Sequence, residues 1–100
     1  MLKQDILELC LLQLLTLGDQ YGYEMLRLLH ESFSDTQESA IYAILRKLCR
    51  SGYTQVYEGS HSGGPVRKYY RLTAAGCDRH AALVQKWRVL RDTIAGFGVE

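Results

Sequence analysis

The sequence lacks the long apolar runs of a membrane protein. Its 100 residues contain no run of about 18 apolar residues, so no transmembrane helix is expected. The apolar stretch over residues 6–17 contains Glu8 and Gln13 and follows Asp5, which argues against a secretory signal. A chain of this length is enough for one compact domain with a modest core. The composition therefore favours a single-domain cytosolic protein.

Signatures of catalysis and of metal binding are also sparse. The three cysteines, Cys10, Cys49 and Cys77, lie far apart within helical patterns, so we expect reduced thiols that pack as small apolar side chains. No glycine-rich phosphate loop follows a predicted strand, and no nucleophile elbow is present. Cys77 and His80 share one helix face and could form half of a metal site that a second copy completes, which is the alternative to a packing role. We predict neither an enzyme nor a bound cofactor or metal.

A strong net charge is absent too. The formal net charge is +1, which by itself is weak evidence for nucleic-acid binding. The distribution says more: residues 1–35 carry two cations and six anions, whereas residues 36–72 carry six cations and two anions. The charge is therefore segregated, and the positive segment occupies the middle of the chain.

The positive segment opens with an amphipathic helix, predicted over residues 36–52. Its apolar side holds Ile41, Ile44, Leu45 and Leu48 at helical spacing. Its opposite side holds Ser39, Tyr42, Ala43, Arg46, Lys47 and Arg50. Small side chains let a polyanion approach the backbone while hydrogen-bond donors reach it, so this side is predicted to bind DNA. Asp35, followed three residues later by Glu38, is typical of a reciprocal N-terminal cap.

Two helical patterns precede this helix. The first covers residues 5–17, has a wider apolar surface than one core-facing stripe requires, and ends at Gly18. The second runs from Tyr21 or Gly22 to Ser32, and its predicted buried side consists of Met25, Leu26, Leu28 and Leu29. We expect Gly22 to allow close packing against the first helix. Three helices in this order predict a helix-turn-helix.

After Gly52 the pattern changes from helix to strand. Residues 53–58 and 66–72 are rich in β-branched and aromatic side chains, and the glycine-rich residues 59–65 between them predict a β-hairpin with a mobile tip. The inner face of the second strand would hold Lys68, Tyr70 and Leu72, and the outer face Arg67, Tyr69 and Arg71. Lys68 suits the inner face only where the strand has left the core. His61, in the tip, is better placed to touch DNA than to catalyse a reaction.

The last element is a helix that begins after a hydroxyl cap at Thr73 and reaches about Phe97, roughly 35 Å long at 1.5 Å per residue. Its apolar residues follow a coiled-coil seam, with spacings of four, three, four and three: Leu83, Trp87, Leu90, Ile94 and Phe97. A seam that extends past a small domain is typical of a dimerisation arm, so we predict a homodimer. The alternative is a helix that folds back on its own domain.

The fold class that these elements predict is mainly α with a small β-hairpin. We expect a winged helix-turn-helix domain over residues 1–72 and a C-terminal dimerisation helix over residues 73–100, within one compact unit. In the predicted homodimer, the third helix of each subunit would meet one of two successive major grooves of DNA, about 34 Å apart. This arrangement predicts a pseudo-palindromic operator. A dimeric protein-interaction module, in which the same fold has lost DNA binding, is the alternative function.

Three segments of the chain match a known family. They are GDQYGYEM at residues 18–25, IYAILRKLCRSGY at 41–53 and GGPVRKYYRLTAAG at 63–76. With the single long terminal helix, they make the chain resemble the PadR family of bacterial transcriptional regulators over nearly its whole length. The resemblance implies a winged helix-turn-helix homodimer, usually a repressor of neighbouring genes. The chain departs from the family in having Ala40 where Thr is usual and Ala43 where Pro is frequent.

The resemblance also implies roles for individual residues. The third helix would enter the major groove and the wing would lie along the backbone or minor groove, which gives a predicted DNA-binding set of Gln37, Ser39, Tyr42, Arg46, Lys47, Arg67 and Lys68. Among these, Gln37, Ser39 and Arg46 are the candidates for reading bases. Some family members bind planar aromatic molecules between paired Trp residues at the dimer centre. Trp87 is therefore either an interface anchor or part of a ligand site with Leu9, Gln13, Leu83 and Arg91. Arg91 favours anionic ligands such as phenolic acids.

Overall fold

The computed structural model describes residues 1–60 and 63–100, which form four helices and three strands. In chain order these are α1 (Lys3–Thr16), β1 (Gln20–Tyr21), α2 (Gly22–Ser32), α3 (Glu38–Arg50), β2 (Thr54–Gly59), β3 (Arg67–Leu72) and α4 (Ala74–Ala95). The expected class, mainly α with a small β-hairpin, is confirmed. His61 and its predicted place in a mobile tip lie outside the described residues. Within the described ranges, no helix is both long enough and apolar enough to cross a membrane.

The predicted stop at Gly18 and the predicted cap at Thr73 are both confirmed. Gly18 follows α1 with φ +137°, and the Thr73 hydroxyl accepts a hydrogen bond of 3.0 Å from the Gly76 N–H at the start of α4. The reciprocal cap at residues 35–38 is wrong. The N-cap of α3 is Gln37, and the Asp35 carboxylate accepts from Lys3 Nζ at 2.6 Å and from the Thr36 hydroxyl at 3.4 Å instead of from the helix.

The three strands form an antiparallel sheet in the order β1-β3-β2. The wing, defined here as β2, β3 and the residues that connect them, has the predicted register: Tyr70 points inward and is 4% exposed, and Val56 lies opposite it. Lys68 is exposed opposite Glu58, where β3 has left the core, as expected. Sequence reasoning missed β1, because two residues are too few to show an alternating pattern.

Gly22 makes room for the wing. A β-carbon at Gly22 would lie 2.7 Å from Cε1 of the Tyr70 ring, so α2 can approach β3 this closely only with glycine at that position. The prediction that Gly22 allows close packing against the first helix is therefore wrong: its close neighbour is a strand residue that is distant in sequence.

One apolar core unites all four helices and the wing. It consists of Leu7, Leu11, Leu12, Leu15, Met25, Leu26, Leu29, Ile41, Leu45, Leu48, Tyr70 and Leu83. Two predictions about burial need correction. Leu28, expected on the buried side of α2, is 37% exposed, and Leu83, expected at a dimer interface and in a ligand site, is 0% exposed within the single chain. Leu83 has no surface left for a partner or a ligand because the N-terminal half of α4 packs on α1.

The α1–α4 contact is reinforced by a largely buried ion pair. Arg79 Nε donates to Glu8 Oε1 at 2.7 Å, and the guanidinium lies 5.9 Å from the centre of the Tyr53 ring. The hydrogen bond with Glu8 raises the pKa of Arg79. Beyond Leu83 the helix becomes exposed; it ends at Ala95, two residues before the predicted end, and Phe97 in the turn that follows is 87% exposed. The first half of α4 therefore folds back on its own domain, which was the alternative prediction, whereas its second half is mostly exposed.

Gly76 provides a test of the packing between the start of α4 and Tyr53, the residue before β2. Its β-carbon would lie 2.0 Å from the Tyr53 carbonyl oxygen, which is backbone and cannot rotate away. We expect Gly76→Ala to lower the free energy of unfolding by about 3 kcal/mol or more, measured by urea denaturation at matched protein concentration. Ala75→Ser, at an exposed position of the same turn, is the control and should cost only a few tenths of a kcal/mol, roughly its helix-propensity difference. Equal urea midpoints for the two variants would contradict this packing.

Candidate nucleic-acid interface

The outer face of α3 is a cationic helix surface, and the core determines which way it points. Ile41 and Leu45 are 0% exposed and Leu48 is 2% exposed, so this stripe faces inward. The exposed residues of the helix are Ser39, Ala40, Tyr42, Ala43, Arg46, Lys47 and Arg50. The predicted division of the helix into two faces is confirmed. Arg46 follows Tyr42 by one turn, and its guanidinium lies 5.9 Å from the centre of the Tyr42 ring.

The wing holds its two arginines against a row of tyrosine rings. Tyr69 of β3 lies between Tyr21 of β1 and Tyr57 of β2, with ring centres 5.9 Å apart on both sides. Arg67 lies 4.9 Å from the centre of the Tyr21 ring and donates to the Tyr21 hydroxyl at 2.8 Å, and Arg71 lies 4.8 Å from the centre of the Tyr57 ring. The rings hold the two guanidinium groups at the sheet surface.

A hydrogen bond joins the row of tyrosine rings to the loop after α1. The Tyr57 hydroxyl donates to Asp19 Oδ2 at 2.6 Å, and this bond raises the pKa of Tyr57. Asp19 therefore acts as a hydrogen-bond acceptor for the wing.

A concavity of about 400 Å³ lies between α3, the start of α2 and the wing. Its lining includes Tyr42 of α3 and Arg67 and Lys68 of the wing, so predicted DNA contacts from two separate segments share one surface. Tyr21 and Tyr23 also line it, and sequence reasoning did not include them. The sequence does show two tyrosines on either side of Gly22, but their place beside the wing follows only from the pairing of β1 with β3.

The remaining predicted DNA contacts lie outside this concavity. Gln37 and Ser39 are exposed at the start of α3, and Arg46 is exposed on its outer face. Lys47 borders a smaller depression, near Arg79. We call the exposed residues Ser39, Tyr42, Arg46, Lys47, Arg50, Arg67 and Lys68 the basic face.

The cations of the basic face are not neutralised within the described ranges of the chain. The ion pairs found there involve Lys3, Arg27, Arg79 and Arg91. None of them uses a cation of α3 or of the wing. The carboxylates of Glu8, Glu24, Glu31 and Asp35 pair with cations outside the basic face, which therefore keeps its positive potential.

A second cavity, an apolar groove of about 730 Å³, lies among α1, α2 and α4. Four of the five residues predicted for a ligand site line it: Leu9, Gln13, Trp87 and Arg91. Leu83 does not, because it points into the core, and its neighbour Val84 lines the groove instead. Sequence reasoning missed Leu28, Phe33 and Arg88, which also line it. The first two come from α2 and the residue after it, which form the wall of the groove opposite α4, an arrangement that the sequence did not indicate.

One polar side chain of the groove, Gln13, is already engaged. His80 Nε2 lies 2.7 Å from Gln13 Oε1, so the imidazole that the alternative metal site would have used is bonded to an amide. Among residues 1–60 and 63–100, no group of three or more His, Cys, Asp or Glu is placed to hold a metal ion. Cys10 also lines the groove, and burial raises the pKa of its thiol.

Comparisons with known proteins agree with this geometry. The model of the transcriptional regulator PadR-like family matches residues 11–82. An uncharacterized protein of Lysinibacillus sphaericus is 30% identical, and the alignment covers 94% of this chain and 93% of that protein. The crystal structure of a PadR-like transcriptional regulator from Bacillus cereus superposes with a TM-score of 0.84 at 27% identity, over 95% of this chain and 93% of that one.

A more distant structure shares the fold. Bacillus subtilis PadR, whose crystal structure was solved in complex with operator DNA, superposes with a TM-score of 0.65 at 24% identity, over 79% of this chain and 46% of that one. Proteins of the matched family are transcriptional regulators and not enzymes. The match to more than half of the residues shows that this chain belongs to the PadR-like family of transcriptional regulators.

Proposed function

We propose that this protein is a sequence-specific DNA-binding transcriptional regulator that works in the cytoplasm as a homodimeric repressor. The observation that carries the proposal is the basic face, whose cations come from α3 and the wing and form no ion pair within the described residues. Family membership supports it, and so does the operator DNA bound by B. subtilis PadR, which has the same fold.

The geometry suggests how the basic face would meet a duplex. The recognition helix, α3, presents Ser39, Ala40 and Ala43 along its exposed side, and these small residues let its backbone approach the floor of the major groove. Arg46, and Gln37 and Ser39 at the helix start, reach base edges. Lys47, together with Arg67 and Lys68 on the wing, contacts phosphates, which positions the protein without reading sequence. Tyr42 borders the concavity between helix and wing and places its hydroxyl near a phosphate.

Two cation deletions test the basic face. Arg46→Ala and Lys68→Ala should each weaken binding to the DNA upstream of the protein's own gene by about a factor of ten, and Lys68→Ala should reduce the salt slope by about one. The measurement is an electrophoretic shift titrated at several salt concentrations. Lys86→Ala, an equal charge change on α4, is the control and should bind as the parent does.

The possible outcomes separate the candidate functions. If both variants bind DNA as tightly as the parent at about 0.15 M salt, the basic face is not the surface that contacts DNA. A parent protein that shifts no DNA even at low salt would favour the protein-interaction module.

The exposed half of α4 supports a homodimer. Trp87 is 42% exposed and Ile94 is 41% exposed, and they share one face of α4 with the half-buried Leu90. Phe97, two residues after the end of the helix, is 87% exposed. These exposed large apolar residues form a surface that a second copy would cover. Paired in this way, two recognition helices would meet successive major grooves of a pseudo-palindromic operator, and a dimer bound over a promoter would block transcription.

Charge placed in the seam should separate the subunits. We expect the double variant Ile94→Glu and Phe97→Glu to elute as a monomer at micromolar concentration, because carboxylates cannot be buried unpaired in an apolar interface. Size-exclusion chromatography with light scattering gives the mass. Val89→Glu is the control, since Val89 is exposed on α4 but lies off the seam. A parent that is itself monomeric would refute the homodimer.

The apolar groove is the proposed effector site. Leu9 and Trp87 give it an apolar, aromatic wall, and its lining also holds Arg88, Arg91 and one carboxylate, Glu31, which pairs with Arg27. Arg91 pairs with the exposed Asp92, and an exposed ion pair is weak enough for a ligand anion to compete with it. The two arginines therefore favour planar aromatic anions, such as phenolic acids, over aromatic cations. We propose that such a ligand releases the protein from its operator.

Quenching of Trp87, the single tryptophan, reports on the groove directly. We expect p-coumarate to quench its fluorescence, and both the methyl ester of p-coumarate and the variant Arg91→Ala to weaken binding by about tenfold, since each removes one charge from the ion pair. Flavonoids and cationic dyes complete the panel. If none of these compounds quenches Trp87, the groove has no effector role of this kind. Equal quenching by acid and ester would exclude recognition of the anion.

A further inference from the structure

The turn between α2 and the recognition helix is held by hydrogen bonds from the end of α2. The Thr36 N–H donates to the Phe33 carbonyl at 2.9 Å, and the Phe33 N–H donates to the Leu29 carbonyl at 2.8 Å. On the other side of Thr36, His30 Nδ1 lies 2.7 Å from the Thr36 carbonyl oxygen, in a half-buried position. Both peptide groups of Thr36 are therefore fixed to the last turn of α2.

The chemistry of the hydrogen bond between His30 and the Thr36 carbonyl identifies its donor. A carbonyl oxygen only accepts hydrogen bonds, so His30 Nδ1 must carry the hydrogen. The bond spans six residues and joins the side chain of one helix to the peptide group that precedes the N-cap of the next. It thus constrains the place where α3 begins, and not merely the local conformation of the turn.

Other attachments of this turn are weaker. Gln37, the N-cap of α3, makes no capping bond through its side chain to any described residue. The ion pair of Lys3 Nζ with Asp35 Oδ2, at 2.6 Å, ties the turn to α1, and the hydrogen bond from Lys3 lowers the pKa of Asp35. Both side chains of that pair are exposed, however, and exposed ion pairs contribute little. The half-buried bond from His30 is the stronger constraint on the helix start.

We propose that His30 is a positioning residue for DNA recognition: through the Thr36 carbonyl it sets where the recognition helix begins relative to α2. The proposal rests on the DNA-binding function proposed above. Base edges are read by hydrogen bonds of narrow geometry, whereas phosphate contacts tolerate small displacements. Loss of the His30 bond therefore lowers affinity for a specific site more than affinity for unrelated DNA.

Two substitutions at position 30 and one control test this role. His30→Ala should weaken binding to the DNA upstream of the protein's own gene by about tenfold, the effect of one lost half-buried hydrogen bond, with no change in the salt slope or in binding to unrelated duplex. His30→Asn, whose side-chain amide can donate from a position close to that of Nδ1, should restore binding to within about threefold of the parent. His80→Ala removes another half-buried histidine, bonded to Gln13, and should leave the ratio of specific to unrelated binding unchanged.

Amide hydrogen exchange of the intact protein gives a readout that does not require DNA. His30→Ala should accelerate exchange at Thr36 and at Ile41, whose N–H donates to the Gln37 carbonyl, by about tenfold if one bond is lost, and His80→Ala should not. An unchanged binding ratio for His30→Ala, or an equal loss in His80→Ala, would overturn the proposal. If the parent binds no DNA specifically, the DNA-binding function fails, and unchanged exchange at Thr36 and Ile41 would then also exclude His30 as the residue that fixes the helix start.

Discussion

Burial of three side chains of α3 is the constraint on which the rest of the molecule depends. Ile41, Leu45 and Leu48 occupy the centre of the core, and a helix advances about 100° per residue, so their burial fixes the rotation of α3 about its own axis. A rotation by one residue would bring Tyr42 and Arg46 into an apolar core, where an unpaired guanidinium is very costly. The surface offered to DNA is therefore determined by packing on the opposite side of the same helix.

Tyr70 extends the same constraint to the wing. It is the wing residue of the apolar core, with Gly22 providing the space for its ring, and burial raises its pKa. Because strand side chains alternate, an inward Tyr70 requires Tyr69 and Arg71 to point outward. The two-residue β1 then contributes Tyr21, whose ring and hydroxyl hold Arg67. A single buried phenol thus sets the register that displays the wing cations beside α3.

The spacing of apolar residues predicted the features that depend on a single helix or strand. The two faces of α3 and the register of β3 depend on spacing within a single element, and both are as expected. Features that depend on which surface covers a residue could not be predicted in the same way. The seam position of Leu83 has the same spacing whether α1 of its own chain or a second copy packs on it. Gly22 likewise gives no sign in the sequence that its neighbour is Tyr70, 48 positions later. The cap at residues 35–38 failed because Asp35 pairs with Lys3 from α1.

The groove and the recognition helix meet at the end of α2, and this has a thermodynamic consequence. Phe33 lines the groove, and its carbonyl accepts the Thr36 N–H immediately before α3. His30, whose neighbours Leu29 and Glu31 also line the groove, holds the other peptide group of Thr36. A ligand that shifts this turn changes the energy of the helix position that DNA requires, and by linkage DNA changes the affinity for that ligand by the same factor. Such coupling would operate within one subunit and would not require any change in how the two subunits of the proposed dimer are arranged.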